Sequence, residues 1–275
     1  MQGRDSSGPC DRRVSIHPTA QVDPDAKIDP SAEIGPFALI HSGVEIAENC
    51  VIGAYVELNH CRIGGGTRIG SHSIIGGDPQ MLGWKEVPSI VRIGRDNDIR
   101  EMVTIHRSMY ENGETLVGDG NMIMTISHIG HDCKIGNEAI ITTYAGLSGH
   151  VEVRDFAIIG GHVGIHQFVR IGEGAMVGGM SRLVQDVVPF MLIEGHPAFV
   201  RSTNAVGMKR RDYKKEARAN VKEAFKILFK SGLNLKSAIE KLEGISDASG
   251  EMETILEFVK TTKRGLTGTN AKEGK

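Results

Sequence analysis

Aromatic side chains make up only 5% of this 275-residue chain, and proline accounts for only 9 residues. A core with so few rings must be filled by Val, Ile, Leu and Ala. The low proline count sets the chain apart from Pro/Gly-rich disordered sequences. No run of 18 apolar residues occurs, so no segment reads as a membrane-spanning helix. Charge of one sign is not in excess. The formal net charge is −2, which leaves no large positive field to attract nucleic acid. The first thirteen residues lack an apolar stretch of the kind a secretory signal needs and read as a disordered tail. The cysteines Cys10, Cys50, Cys61 and Cys133 show no close pairing pattern and read as reduced thiols, which points to the cytoplasm. No Gly-Xaa-Ser-Xaa-Gly elbow is present and no cysteine has an evident basic partner, which argues against a covalent intermediate on serine or cysteine.

Glycine is abundant instead: 35 residues, roughly 13% against a usual ~7%. Collagen would need it at every third position, and that period is absent. The glycines follow a six-residue repeat. From Ile16 the aliphatics Val22, Ile28, Ile34, Ile40, Ile46, Ile52 and Leu58 recur every six residues. After a slip of one come Ile63, Ile69 and Ile75, then Ile93, Ile99 and Ile105. From Val117 to Leu183 the register holds for eleven steps. The fifth position of each unit is small or β-branched, as at Ala32, Ala38, Cys50, Cys133, Ala139, Ala157 and Val169. Neither a helix, with period 3.6, nor an ordinary strand, with period 2, has this spacing. A short strand and a corner every six residues does. Three units close a triangular coil of eighteen residues, and coils stack at the ~4.8 Å strand spacing. Positions 1 and 5 then point inward.

The predicted organisation follows. A β-helix runs over 14–190, with outward loops near 78–90 and 108–116. Helices occupy 191–265, marked by Ala217, Val221, Ala224, Phe225 and Leu228 with Gly232 as C-cap, by Ala238, Ile239 and Leu242, and by Met252, Ile255, Leu256 and Val259. Residues 266–275 read as a tail.

His128, His131, Asp132, His150 and His166 occupy outward positions of the repeat, so none is a core histidine. The spacing stacks His131, His150 and His166 as a stripe over three coils, with Asp132 directly below His150. Three readings are open: histidines binding zinc, as in β-helical carbonic anhydrases; an unreactive solvated face on a binding solenoid; or a general base beside its carboxylate, His131 with Asp132.

The hexapeptide repeat resembles the left-handed β-helix acyltransferases. Within them, Ile105-His106-Arg107, Ser127-His128-Ile129-Gly130-His131-Asp132-Cys133, Gly149-His150-Val151, Val163-Gly164-Ile165-His166-Gln167-Phe168, Val184-Gln185-Asp186-Val187-Val188-Pro189 and Gly207-Met208-Lys209-Arg210-Arg211 resemble the UDP-N-acetylglucosamine acyltransferases. The resemblance implies a left-handed parallel β-helix with a C-terminal helical domain, working as a homotrimer with sites between subunits. It implies transfer of a 3-hydroxyacyl chain from acyl carrier protein to the 3-position of a UDP-sugar, the first step of lipid A synthesis, without cofactor or metal. In that frame His131 is the base, Asp132 orients it, and the Gly149 N–H receives the oxyanion. His128, His150 and His166 line the sugar and acyl sites. Gln167, Asn204, Arg210 and Arg211 meet the nucleotide or the pantetheine arm, and Gly179 sets acyl-chain length. The cluster Lys209, Arg210, Arg211, Lys214, Lys215 and Arg218 is expected to dock the acidic carrier protein. The first loop departs from the family's Gln-Asp-Leu-Lys: it reads Gln80-Met81-Leu82-Gly83-Trp84-Lys85. Gln80 and Lys85 remain as candidate sugar contacts, and a 3-amino sugar is a second candidate acceptor.

Overall fold

The protein is described here by a computed structural model, which covers residues 15–245 and 250–268. The expected tail at 1–13, with Cys10, lies outside the described residues. Short parallel strands, mostly two residues each, follow one another at corners and pair with the strand one coil away. They form three sheets of 11, 9 and 8 strands, the faces of a triangular prism.

The repeat explains the coil. In His128–Ile129 the first side chain faces out and the second faces in, the alternation of any strand. Ile129 is fully buried, as are Ile105 below it and Leu147 above. Each such aliphatic contributes about 1.5–3 kcal/mol by leaving water. Inward fifth positions are not all apolar. Thr67, Ser73 and Ser127 are buried there, and each donates its hydroxyl to a carbonyl of the next coil, at Gly94, Arg100 and Thr142. Cys50 and Cys133 donate their thiols in the same way, to Gly64 and Ser148. Burial pushes the Cys133 thiol up to about 12, so it stays protonated. Cys50, Cys61 and Cys133 are all free.

Corners have their own rule. Most fourth-position residues adopt the left-handed conformation, including Asp132 at φ 61°, His150 at 62° and Phe168 at 65°. Aspartate and histidine tolerate this region better than most residues. Apart from Arg107, which donates to Gly77 O at 2.9 Å, third-position N–H groups find no backbone acceptor among the described coils, so proline fits at Pro18, Pro24, Pro30 and Pro36. On one edge these N–H groups donate to side chains of the next coil, Arg95 to Asp119, Asp119 to Asn137 and Asn137 to Asp155; where no such side chain stands, a spare N–H is a by-product of the coil.

Beyond Pro189 the chain does not turn helical at once. Met191–Glu194 and Phe199–Thr203 form an antiparallel pair that extends the largest sheet. Among the described residues four helices follow: α1 (Ala205–Arg210), α2 (Lys215–Phe229), α3 (Leu235–Glu243) and α4 (Glu251–Lys260). Helix α2 buries Ala217, Val221, Ala224 and Ile227, and it ends at Lys230 rather than at Gly232. Gly232 takes a positive φ two residues further on. Leu266–Gly268, expected in the tail, are paired instead: Thr267 N donates to Asp186 O and Val200 N donates to Gly268 O. Among the described residues no helix is long and apolar enough to cross a membrane.

Candidate active site

The site lies on the edge where the nine-stranded sheet turns into the eight-stranded one. His131 follows the strand His128–Ile129, and its Nδ1 is 2.8 Å from Asp132 Oδ2. A carboxylate only accepts, so Nδ1 carries the proton and Nε2 is left as the free base. Asp132 is itself held. It accepts from Ser108 Oγ and from Met109 N at 3.2 Å, and its own N–H donates to Thr115 Oγ1 at 2.8 Å. The second outward loop thus folds back over the edge and fixes the carboxylate.

One coil up, His150 N donates to His131 O at 2.9 Å, and the His150 ring meets His131 edge-on, with centroids 5.2 Å apart. Burial lowers the proton affinity of His150. Phe168 stacks flat on His150 at 4.4 Å, and Tyr110 approaches it from the loop at 5.8 Å. The third member of the stripe is therefore Phe168, not His166. His166 is exposed, turns its Nδ1 to Gln167 O at 3.2 Å, and stands two positions away from the column of His150 and Phe168 because it is a second-position residue.

Gln80, His106, His128, His131 and Gly149 surround a cavity of about 170 Å³. His128 is bound to Thr104 Oγ1 at 2.9 Å, and burial lowers its pKa to about 4, so it stays neutral near pH 7. Gly149 approaches His131 so closely that an added Cβ would lie 2.5 Å from both Cε1 and Nε2 of the ring. Its N–H is one of the spare third-position donors, with no acceptor among the described residues. A base nitrogen and an unused backbone donor therefore stand side by side.

The first loop reaches this cavity because Arg107 anchors it. The Arg107 side chain is only 2% exposed, donates twice to Asp78 Oδ1 at 3.0 and 2.8 Å and once to Val87 O at 3.0 Å, and lies over the Trp84 ring. Gln80 is placed by this clamp. Lys85 is exposed and does not line the cavity.

The other candidates stand elsewhere in the single chain. Gly179 lies on the edge between the largest sheet and the nine-stranded one, beside Gly161 O. Asn204 caps α1: its Oδ1 accepts from Gly207 N and its Nδ2 donates to Gly174 O, which uses both side-chain groups. Arg211 pairs with Glu138 at 3.0 Å and covers the Phe156 ring on the third edge. Arg210 is exposed at the end of α1 and Gln167 is exposed next to His166. Sequence reasoning missed His106, Ser108, Met109, Thr115 and Phe168 as members of the site.

His131, Asp132 and His150 also offer ligand atoms within 4.8 Å of one another. The donor set suits a hydrogen-bonded network better than a cation. The two Asp132 oxygens already accept three bonds, and a metal at His131 Nδ1 would displace the proton that joins it to Asp132.

Comparisons with known proteins bear on the family and the fold. A family profile described as Udp N-acetylglucosamine O-acyltransferase, domain 2, matches residues 186–267. A second, the GMPPB C-terminal domain, matches residues 10–110. An acyl-[acyl-carrier-protein]–UDP-N-acetylglucosamine O-acyltransferase of Thermodesulfovibrio yellowstonii is 45% identical over 265 residues, 91% of this chain and 98% of that protein. The crystal structure of UDP-N-acetylglucosamine acyltransferase from Francisella novicida superposes with a TM-score of 0.91 at 36% identity, covering 94% of this chain and 95% of that one. The Campylobacter jejuni enzyme gives 0.88 at 37% identity, covering 93% and 100%. The fold class is accordingly a left-handed parallel β-helix with C-terminal helices. On these likenesses the chain belongs to the acyl-[acyl-carrier-protein]–UDP-N-acetylglucosamine O-acyltransferase family.

Proposed function

We propose that this chain transfers a 3-hydroxyacyl group from acyl carrier protein to the 3-position of UDP-N-acetylglucosamine, the first step of lipid A synthesis. The observation that carries the reading is the His131–Asp132 bond of 2.8 Å, which leaves His131 Nε2 facing a cavity beside the unused Gly149 N–H. His131 Nε2 takes the proton of the sugar 3-hydroxyl as its oxygen bonds to the thioester carbonyl carbon. The carbonyl oxygen becomes an oxyanion, and the Gly149 N–H donates to it. The tetrahedral intermediate then collapses, the C–S bond breaks, and the imidazolium returns the proton to the departing thiolate. Asp132 holds one tautomer and balances the imidazolium charge during the step.

The active form in this reading is a homotrimer in the cytoplasm. The support is geometric: Gly179 and Arg211 sit on edges other than that of His131, so neighbouring copies must bring them to one cleft. The exposed cations Lys209, Arg210, Lys214 and Lys215 around α1 and α2 give an acidic carrier protein a docking surface.

The test is acyl transfer from a panel of 3-hydroxyacyl carrier proteins to UDP-N-acetylglucosamine and to its 3-amino analogue, with sedimentation for assembly state. His131→Ala is expected to lose transfer to both while remaining trimeric. Turnover in His131→Ala comparable to wild type would overturn the assignment.

A further inference from the structure

His106 was not chosen as a site residue from the sequence, and the mechanism above does not use it. Its side chain is nevertheless built to read a ligand. The residue is 9% exposed and lines the same cavity as His128 and His131. Its Nδ1 lies 2.6 Å from Asp78 O. A carbonyl oxygen only accepts, so Nδ1 carries the hydrogen of the neutral ring. Nε2 is then a lone-pair acceptor. It is buried, and no protein group among the described residues donates to it.

The ring is held firmly. Its carbonyl partner belongs to Asp78, whose side chain is gripped by both Nε and Nη2 of Arg107. The ring is tilted against His128 with centroids 5.1 Å apart, and His128 Nδ1 is already engaged with Thr104 Oγ1. Gly130 stands directly above His106 in the same column of the prism, and no side chain there fills the space over the ring. Protonation at Nε2 would create a buried cation with no carboxylate in contact, and burial together with the nearby His131 lowers the ring's proton affinity. The acceptor character therefore persists at neutral pH. A preorganised, unpaired acceptor in a cavity is satisfied only by a donor that the ligand brings.

We propose that His106 is a specificity-determining residue: its Nε2 accepts a hydrogen bond from an O–H or N–H on the sugar-ring carbon next to the one that is acylated. The inference rests on the acyltransferase reading, since His131 in the same cavity takes the proton of the reacting group. On a 2-acetamido sugar two such donors exist, the 4-hydroxyl and the acetamido N–H. The recognition acts on binding, because the bond is present before and during transfer. It selects for acceptors that carry the donor and against analogues that would leave Nε2 dry.

The experiment is a cycle between residue and substrate. Acyl transfer is measured with UDP-N-acetylglucosamine, with its 4-deoxy analogue, and with an analogue whose acetamido group is replaced by an acetoxy ester. Wild type is expected to lose about 10- to 100-fold in kcat/KM with one of the two analogues, chiefly through KM. His106→Asn keeps a donor near the Nδ1 position for Asp78 O but has nothing at Nε2. It is expected to bind the full substrate worse by a similar factor and to show no further loss with that analogue. His106→Gln places an amide oxygen near the Nε2 position and should recover part of the discrimination. A purely structural role would leave the analogue penalty in His106→Asn as large as in wild type, and that result overturns the proposal. So does a wild type indifferent to both analogues, which needs no variant to fold. Absence of transfer to every UDP-sugar by wild type would instead overturn the acyltransferase reading itself.

Discussion

Placing a methyl group at Gly149 isolates the contact on which the proposed site depends. The backbone of Gly149 lies outside the left-handed region, so alanine brings no conformational strain of its own. The collision is with one neighbour: the new Cβ would lie 2.5 Å from Cε1 and Nε2 of His131 and 3.0 Å from Nδ1. Ordinary carbon contacts are roughly 3.5 Å, so the ring must retreat by about 1 Å. It has no free path. Nδ1 is tied to Asp132, and Asp132 is tied to Ser108 and Met109. Gly149→Ala therefore either breaks the His131–Asp132 bond or displaces the pair together. Overpacking of this kind costs about 1–3 kcal/mol, which corresponds to a fall in Tm of roughly 2–8 °C. A displacement of 1 Å in a catalytic group costs on the order of 10²-fold in rate. The assay is steady-state transfer with saturating acyl carrier protein, alongside thermal unfolding. The expected outcome is a folded enzyme with kcat reduced about 100-fold and KM for the UDP-sugar changed much less. Wild-type kcat at a lowered Tm would refute the reasoning, because it would show that the position of the His131 ring does not limit the reaction.

Four further outcomes follow from the same geometry. Asp132→Asn keeps the corner but loses the carboxylate that selects the His131 tautomer, and kcat should fall by about 10²–10⁴-fold with the fold intact by circular dichroism. Asp78→Ala removes the nearer carboxylate of the buried Arg107 cation and leaves, among the described residues, only Glu86 Oε1, at 3.8 Å. With Asp78 itself mostly exposed and Glu86 still facing the cation, it should destabilise the protein by about 1–2 kcal/mol in urea titration and raise KM, while Arg107→Met, which removes the charge too, should destabilise it less. His128 has a folded pKa near 4, depressed from 6.5, so the unfolded chain takes up its proton first as pH falls. Its contribution is therefore lost between about pH 6.5 and 4. After allowance for partial exposure this amounts to roughly 2 kcal/mol, and His128→Gln should flatten that limb of the urea midpoint against pH. Treatment with a chelator, followed by metal analysis, should leave transfer unchanged; stoichiometric zinc lost together with activity would favour the metal reading of His131, Asp132 and His150.

The prism was readable in the sequence because its physics is periodic. An inward residue must recur every six positions, and Val117 to Leu183 meets that condition without a gap. The pairing of His131 with Asp132 was also readable, since the two are adjacent at one corner. What failed was bookkeeping of columns. Residues eighteen apart stack, so His150 leads to Phe168, whereas His166 stacks over Ser148. The loops were opaque for a different reason. Ser108 and Met109 serve Asp132, and Arg107 grips Asp78, through contacts across a break in the period, where no spacing rule applies. His106 fell in the same blind spot: its motif was visible, but its burial depends on the loop that folds over it. The antiparallel strands after Pro189 were missed because four- and five-residue strands carry too few residues to separate period 2 from a helical face.

The central claim is that Asp132 holds His131 with the proton on Nδ1 and the lone pair on Nε2, facing the cavity. Nitrogen-15 NMR of ring-labelled enzyme, with His131 assigned through the His131→Gln variant, reads this directly. The account predicts that the neutral ring carries its hydrogen on Nδ1 and leaves Nε2 bare, and that this single tautomer is lost in Asp132→Asn. A neutral His131 ring with its hydrogen on Nε2 and Nδ1 bare would contradict it.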